Sequence, residues 1–261
     1  MPFVLIVFST IQMQIRESRS RQDAAPAHGR FVRAHDVELA IQESGLAPGP
    51  VVLFIHGLGA WSETWRGVMD ALVARGMRVI AVDFPPFGCS EEPRGAAYDR
   101  KDPAQRILAL LDALNIDRAT FVAHSVGGRP APTAALAAPD RVERLVLVDV
   151  APGFDAATNA PSPAAPPGLA ATLFEVRWIR NGLLASVAIN PMLSRTLLVR
   201  FVADPGALSD QTIGLYQRPL SVRGTTNRLG DWLVAFVHAD DSALTRGRET
   251  YRALTMPTVV V

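Results

Sequence analysis

One stretch holds the residue types that nucleophilic chemistry needs, Phe121-Val-Ala-His-Ser-Val-Gly-Gly-Arg129. An apolar run, Ala119 to Ala123, leads to His124 and Ser125, then to Gly127 and Gly128, and an alanine-rich segment follows from Thr133 to Ala138. Strand, sharp turn and helix in that order lift a serine hydroxyl above a sheet edge. The turn strains the serine backbone and tolerates only small residues two before and two after it. Ala123 and Gly127 hold those places. The amide of Val126 then sits at a helix N-terminus, where it can donate to an oxygen that gains negative charge. The competing reading is a serine in a glycine-containing strand-to-helix loop, since Ala replaces the first glycine of the usual five-residue pattern.

The bulk numbers suit an enzyme or a binding protein with a sizeable core. The chain has 261 residues, 49% of them hydrophobic and 20% charged, enough for one large α/β domain or one domain with an insertion. A net charge of +1 carries no electrostatic footprint for nucleic acid or an acidic membrane. The one cysteine, Cys89, excludes an internal disulfide; with no partner in view it reads as a small buried or loop residue. Phe3 to Phe8 is a dense apolar run, too short to span a bilayer and without the basic start of a secretory signal. Residues 1–28 therefore read as an extension outside the fold, disordered over Arg16 to Ala27 or the remnant of an anchor. A cytoplasmic location is the expectation.

The elements that must position Ser125 follow from periodicity. Residues 31–43 alternate as two short strands turned at His35-Asp36. Val51 to Ile55, Arg78 to Val82 and Val142 to Val148 are continuous apolar runs, as strands buried on both faces should be. Trp65 to Arg75 and Pro103 to Leu114 have helical spacing. The fold class expected is α/β: a doubly wound, mostly parallel sheet with an antiparallel start. After Asp149 the pattern breaks. Ala151 to Gly168 is a loop rich in proline and alanine, and four helical stretches follow (169–188, 192–203, 208–217 and 226–239), with Trp178, Phe201, Trp232 and Phe236 as apolar anchors. A helical insertion after a strand end is placed where ligands bind. The division expected is a core over 29–150, a helical cap over 151–250, and a return to the core over 251–261.

With these pieces in place the chain resembles the α/β-hydrolase superfamily, in its cap-bearing branch, from about Gly29 to Val261. Four segments carry the resemblance: His56-Gly57, Asp83-Phe-Pro-Pro-Phe-Gly-Cys-Ser90, Ala123-His-Ser-Val-Gly127, and Pro139 to Asp149. The resemblance implies a serine hydrolase for a small ester, lactone or amide, acting through an acyl-enzyme at Ser125, with no cofactor and no metal. It places the oxyanion-hole amides on Leu58 and Val126 and makes His56 a loop-shaping residue. His124 is expected to point away and pack. His56, Gly57, Trp61, Phe84, His124 and Arg129 are the pocket candidates; for Trp61, Trp65, Phe84 and Phe87 core is the equal alternative, and for Arg129 a surface position.

Two departures stand out. Pro130 and Pro132 fall in the first turns of the helix after the serine, so a kink or a later start is expected. The family's acid and histidine belong after the strand that begins at Pro257, and those positions and the last strands are missing. Asp149 is the alternative acid, with a loop-capping carboxylate as its other reading; His238, beside Asp240 and Asp241, is the alternative base. The chain then acts weakly or not at all as it stands, and the strand ending at Val261 offers an apolar edge for oligomerisation. The partner expected is a small-molecule substrate, with no nucleic acid and no membrane span. Three further readings remain: a non-catalytic ligand-binding protein of the same fold, a cofactor-free haloperoxidase, and a dinucleotide-binding domain. The last is disfavoured because Ser62 stands where its third glycine belongs and Trp61 crowds the approach.

Overall fold

The computed structural model describes residues 2–46, 48–96, 98, 101–150, 175–237 and 248–261. In chain order its main elements are Pro2–Arg16 (α1), Arg21–Ala24 (α2), Gly29–Ala34 (β1), Val37–Ser44 (β2), Val51–Ile55 (β3), Arg66–Val73 (α3), Arg78–Val82 (β4), Lys101–Ala113 (α4), Ala119–His124 (β5), Pro130–Ala137 (α5) and Val142–Val148 (β6). Arg177–Ser186 (α6), Ser194–Leu198 (α7), Asp210–Gln217 (α8), Thr225–Val237 (α9), Arg248–Arg252 (α10) and Thr258–Val260 (β7) complete them.

One sheet of seven strands runs in the order β1-β2-β4-β3-β5-β6-β7. β1 and β2 form the antiparallel start, with Ala34 opposite Val37 and only His35-Asp36 between them. His35 has a φ of 57°, the positive value that lets a two-residue hairpin turn match the strand twist. β2 pairs antiparallel with β4, and every later pairing is parallel. β3 and β4 are buried along almost their whole length, which is why they are uninterrupted apolar runs. Leu53, Ile55, Ile80, Phe121 and Leu145 join Ile107, Leu110 and Leu111 of α4 in the main core. The buried Arg106 guanidinium of α4 grips Asp36 at 2.7 and 2.6 Å, so the helix is also tied to the hairpin turn.

The prolines after Ser125 are accommodated by a later helix start. Residues 125–128 form one tight 3-10 turn, and α5 begins at Pro130. Both prolines then lie in the first three helical positions, where an amide has no intrahelical partner to lose.

Residues 2–28 differ from the extension outside the fold that composition suggests. Residues 2–16 are helical, and the segment after them is bonded into the helices that follow β6. Arg16 donates to the carbonyl of Ile189 at 2.8 Å; Glu17, largely buried, accepts from the amide of Thr226 at 3.0 Å. Arg19 and Val222 form a parallel bridge, and Ser20 caps α2 in a reciprocal pair with Asp23. Arg218 reaches the carbonyl of Ala25 at 2.7 Å. Local polarity misled because these arginines bond carbonyl groups some 200 residues away. No single helix among the described residues is long and apolar enough to cross a membrane.

The helices after β6 lie over the strand-end loops. Trp61 donates to the carbonyl of Leu215 at 3.1 Å, and Arg228 donates to that of Ser90 at 3.2 Å. The stretch expected as one helix over 192–203 is three short turns, 191–193, 194–198 and 199–201. The helical starts and ends expected at 169 and 239 lie outside the described residues, as do His238, Asp240 and Asp241.

Candidate active site

Ser125 stands at the end of β5 with a φ of 51°. A non-glycine residue in the left-handed region costs on the order of 1–3 kcal/mol and persists only where its surroundings enforce it. The enforcement here is close packing. A Cβ on Gly127 would stand 2.8 Å from the carbonyl oxygen of His56, and one on Gly57 would stand 2.8 Å from the Ser125 Cβ. The Gly57 loop therefore lies directly against the serine, and the small residues expected on both sides are needed by contact. Ala123 is fully buried.

Val126 is the second residue of the 3-10 turn, so its amide belongs to the orphan donors of a helical start. Among the described residues no backbone carbonyl accepts from the amide of Leu58 outside regular elements. The Leu58 side chain is exposed, in the loop that carries Gly57. Leu58 thus follows the glycine that packs against the serine, and Val126 follows the serine itself.

His56 shapes that loop. The amide of Phe84 donates to its Nε2 at 2.8 Å, so the ring proton is on Nδ1, which donates to the carbonyl of Gly57 at 2.8 Å. Burial pushes its pKa down to about 4. Both nitrogens are committed, and the ring is neutral. His124 is half-buried against Trp65 edge to face, with centroids 6.5 Å apart, and its ring borders Gly57.

Asp83 anchors the second loop. Its carboxylate accepts from the amides of Ser62 and Cys89, each at 2.7 Å, while Ser90 donates to its carbonyl at 2.5 Å and accepts from the Ala40 amide at 2.7 Å. Gly88, at a φ of 66°, lies so close that a Cβ there would stand 2.2 Å from the Asp83 Cγ. Burial pushes the Asp83 carboxyl up to about 6 and the Cys89 thiol up to about 12. A buried thiol held that high is inert at neutral pH.

A pocket opens beside the elbow and meets it at Val126 and Gly127. Phe84 and Phe87 line it from the Asp83 loop; Trp232 and Phe236 line it from α9. Trp232 stacks on Phe236 at 4.8 Å and meets Phe87 edge to face at 5.1 Å. Arg129 lies over the Phe236 ring at 4.5 Å and closes another part of the wall. Of the pocket candidates, His56, Phe84 and Arg129 line it; Gly57, Trp61 and His124 do not. Trp61 is fully buried in a separate cluster with Ala24, Ala40, Cys89 and Val222, where its indole finds the Leu215 carbonyl. The core alternative holds for it. Ser125 and Leu58 do not line the pocket, although Val126, next to the serine, does.

Trp232, Phe236, Tyr98 and Thr133 also line the pocket and were not among its candidates. The spacing of Trp232 and Phe236, four apart on one helix, was the available signal for one shared face. Tyr98 carried none. Its hydroxyl is buried without a hydrogen-bond partner among the described residues, and burial raises its pKa. Asp149, exposed at the end of β6 with a φ of 46°, donates its amide to the Val261 carbonyl at 2.9 Å. No hydrogen bond joins Ser125 to a histidine or a carboxylate among the described residues, and no three His, Cys, Asp or Glu side chains there converge as metal ligands.

The comparisons with known proteins agree with this geometry. The sequence profile of the alpha/beta hydrolase fold matches residues 50–193. The 2-hydroxymuconate semialdehyde hydrolase of Pseudomonas sp. is 40% identical over 128 residues, covering 48% of this chain and 44% of that protein. The magnesium-chelatase 30 kDa subunit of Rhodobacter capsulatus is 30% identical over 201 residues, covering 77% of this chain and 68% of that protein. The crystal structure of Cfl2 from Burkholderia cenocepacia superposes with a TM-score of 0.68 at 26% identity, over 89% of this chain and 78% of that one. The chain spans about two-fifths of the length of the curated relatives that it matches at 40% identity. A bent strand end, two loops locked by buried acceptors and a matching profile over more than half the sequence lead to one statement: the chain belongs to the α/β hydrolase fold family.

Proposed function

We propose that this protein is a serine hydrolase that cleaves a small ester, lactone or amide through an acyl-enzyme at Ser125. The observation that carries the reading is the left-handed backbone of Ser125, pressed against the Gly57 loop. The amides of Leu58 and Val126 receive the oxyanion, and their fixed placement needs no reorganisation as charge develops. The acyl group packs against the wall formed by Phe87, Trp232 and Phe236, with the Tyr98 hydroxyl and Arg129 as polar contacts. Attack forms the Ser125 Oγ–acyl bond as the serine proton passes to a base. The substrate's acyl C–O or C–N bond breaks and its alcohol or amine takes up that proton; water then cleaves the Oγ–acyl bond to release the acid and restore the serine. His56 cannot serve, since both its nitrogens are bonded. With no described histidine on the serine, turnover by this chain is slow.

A fluorophosphonate probe tests the reading. Labelling of the complete gene product, lost in Ser125→Ala, is expected; no labelling, or equal labelling of the variant, rejects it. A second reading has one observation in its favour, the absence of a bond from Ser125 to a base among the described residues. It makes the protein a non-catalytic binder of small apolar ligands. Equal affinity of wild type and Ser125→Ala for an acyl ligand, with no labelling, would select it.

A further inference from the structure

A second cavity, of about 340 Å³, lies where residues 19–22 meet the segment Val222–Arg228. It shares no wall residue with the pocket beside Ser125. Its walls include Arg19, Arg21, Arg223 and Arg228, with Gln22 and one acid, Glu92. The backbone holds Arg19 and Arg223 on paired segments, and an Arg223 terminal nitrogen donates to the Ser18 carbonyl at 3.0 Å. Arg19 bridges Val222, and the Arg223 amide donates to the Arg19 carbonyl at 2.9 Å. Their side chains therefore start from adjoining positions on paired chain segments.

Arg228 is the unusual member. It is 3% exposed, and its two terminal nitrogens donate to neutral acceptors, the Ser90 carbonyl at 3.2 Å and the Thr225 hydroxyl at 2.8 Å. Its Nε is buried without a partner. No carboxylate among the described residues lies within 4.0 Å of it, nor of Arg19 or Arg223. Arg21 is paired with Glu38 at 3.0 Å, and Asp23 is engaged by Ser20. Glu92 and Glu17 act on Arg228 only from beyond contact distance, and a buried guanidinium without a contact ion pair is expensive to fold around. An anion held at this wall adds negative charge where four arginines from two segments line one cavity, and donors supplied by several guanidinium groups suit the tetrahedral oxygens of a phosphate better than a single carboxylate.

We propose that this cavity binds a phosphate group, at a site separate from the elbow pocket. The bound group would bridge the N-terminal segment and the helical layer, so occupancy stabilises the fold by mass action. The shared chemistry is the phosphate; its source is either a soluble phosphorylated molecule or a lipid headgroup.

The test is calorimetry and thermal melting with inorganic phosphate and glycerol 3-phosphate, and co-sedimentation with phosphatidylcholine vesicles with and without phosphatidic acid. Saturable binding and a raised Tm are expected. Arg19→Ala, whose side chain has no hydrogen bond to lose among the described residues, should weaken binding at least tenfold, and Arg19→Ala with Arg223→Ala should remove it. Arg30→Ala, which removes a cation paired with Glu43 on the hairpin, should leave binding unchanged. Binding to phosphatidate vesicles alone, lost in the same variants, supports the site and assigns its phosphate to a lipid. No binding in either arm, binding kept by the double variant, or an equal response to chloride at matched ionic strength overturns the proposal. Because Ser125 takes no part, failure here leaves the hydrolase reading untouched, and failure of the fluorophosphonate test leaves this site untouched.

Discussion

The strand-end loops and the N-terminal segment are both loops and short helices, yet they are held in different ways. Around Ser125 each tie spans a short distance in sequence or joins neighbouring strands: His56 to Gly57 and Phe84, Asp83 to Ser62 and Cys89, Ser90 to Ala40. The acceptors are buried and the contacts are tight enough to exclude a single Cβ at Gly127 and Gly88. The N-terminal segment is instead held by long side chains reaching across the fold, Arg16 to Ile189 and Arg218 to Ala25. The first arrangement fixes the shape of the elbow; the second clamps one part of the chain to another and lines the join with arginines.

The largest test of that contrast is Gly127→Ala. The added Cβ meets two backbone carbonyls and Ile55, which have no flexible end to yield. A loss of about 3 kcal/mol or more is expected in urea unfolding, together with loss of probe labelling. Wild-type stability would show that the elbow is looser than described.

Next in size is the pH dependence of the two buried titratable groups. Folded Asp83 keeps its proton up to about pH 6, whereas the unfolded carboxyl releases it near 3.8; its contribution is full below that range and lost as pH rises through 6. Folded His56 stays neutral down to about pH 4, whereas the unfolded ring takes a proton near 6.5; its contribution is full above 6.5 and lost as pH falls towards 4. Each is worth roughly 3 kcal/mol at full extent, and the two oppose each other between pH 4 and 6. Relative to wild type, His56→Gln should lose stability with rising pH across that window, and Asp83→Asn should gain it. Parallel curves for the two variants would contradict the assignment.

Glu17→Ala probes the other region. It strips the acceptor from the buried Thr226 amide and hydroxyl, at a cost of about 1–3 kcal/mol. Faster cleavage by trypsin at Arg16, Arg19 and Arg21 is expected, with probe labelling of Ser125 kept. Loss of labelling in step with cleavage would show that the two regions act as one. The smallest effect is that of Ser125→Gly, which removes the left-handed penalty and should raise stability by about 1 kcal/mol while abolishing labelling.

How far the sequence reveals these two regions follows from the same contrast. β3, β4 and β6 fall on the residues that the apolar runs mark, and the residues around Ser125 are readable because strain, small neighbours and strand context are local properties. The role of Trp61 is not local: an aromatic ring after a glycine loop suits a pocket or a core equally, and the choice is made by Ala24 and Val222, far along the chain. Tyr98 joins the pocket wall without any pattern around it. The arginine-lined cavity is the clearest case. A net charge of +1 averages over the whole chain, and nothing in residues 19–22 announces that Arg223 and Arg228 will stand beside them.

The bridge between Arg19 and Val222 also sets an order of assembly. Ribosomes deliver residues 16–25 long before residues 189–228 exist, so this segment waits for those later residues before it can settle. Until then its arginines remain without their acceptors, and a nascent chain stalled before residue 228 presents that segment to chaperones and proteases.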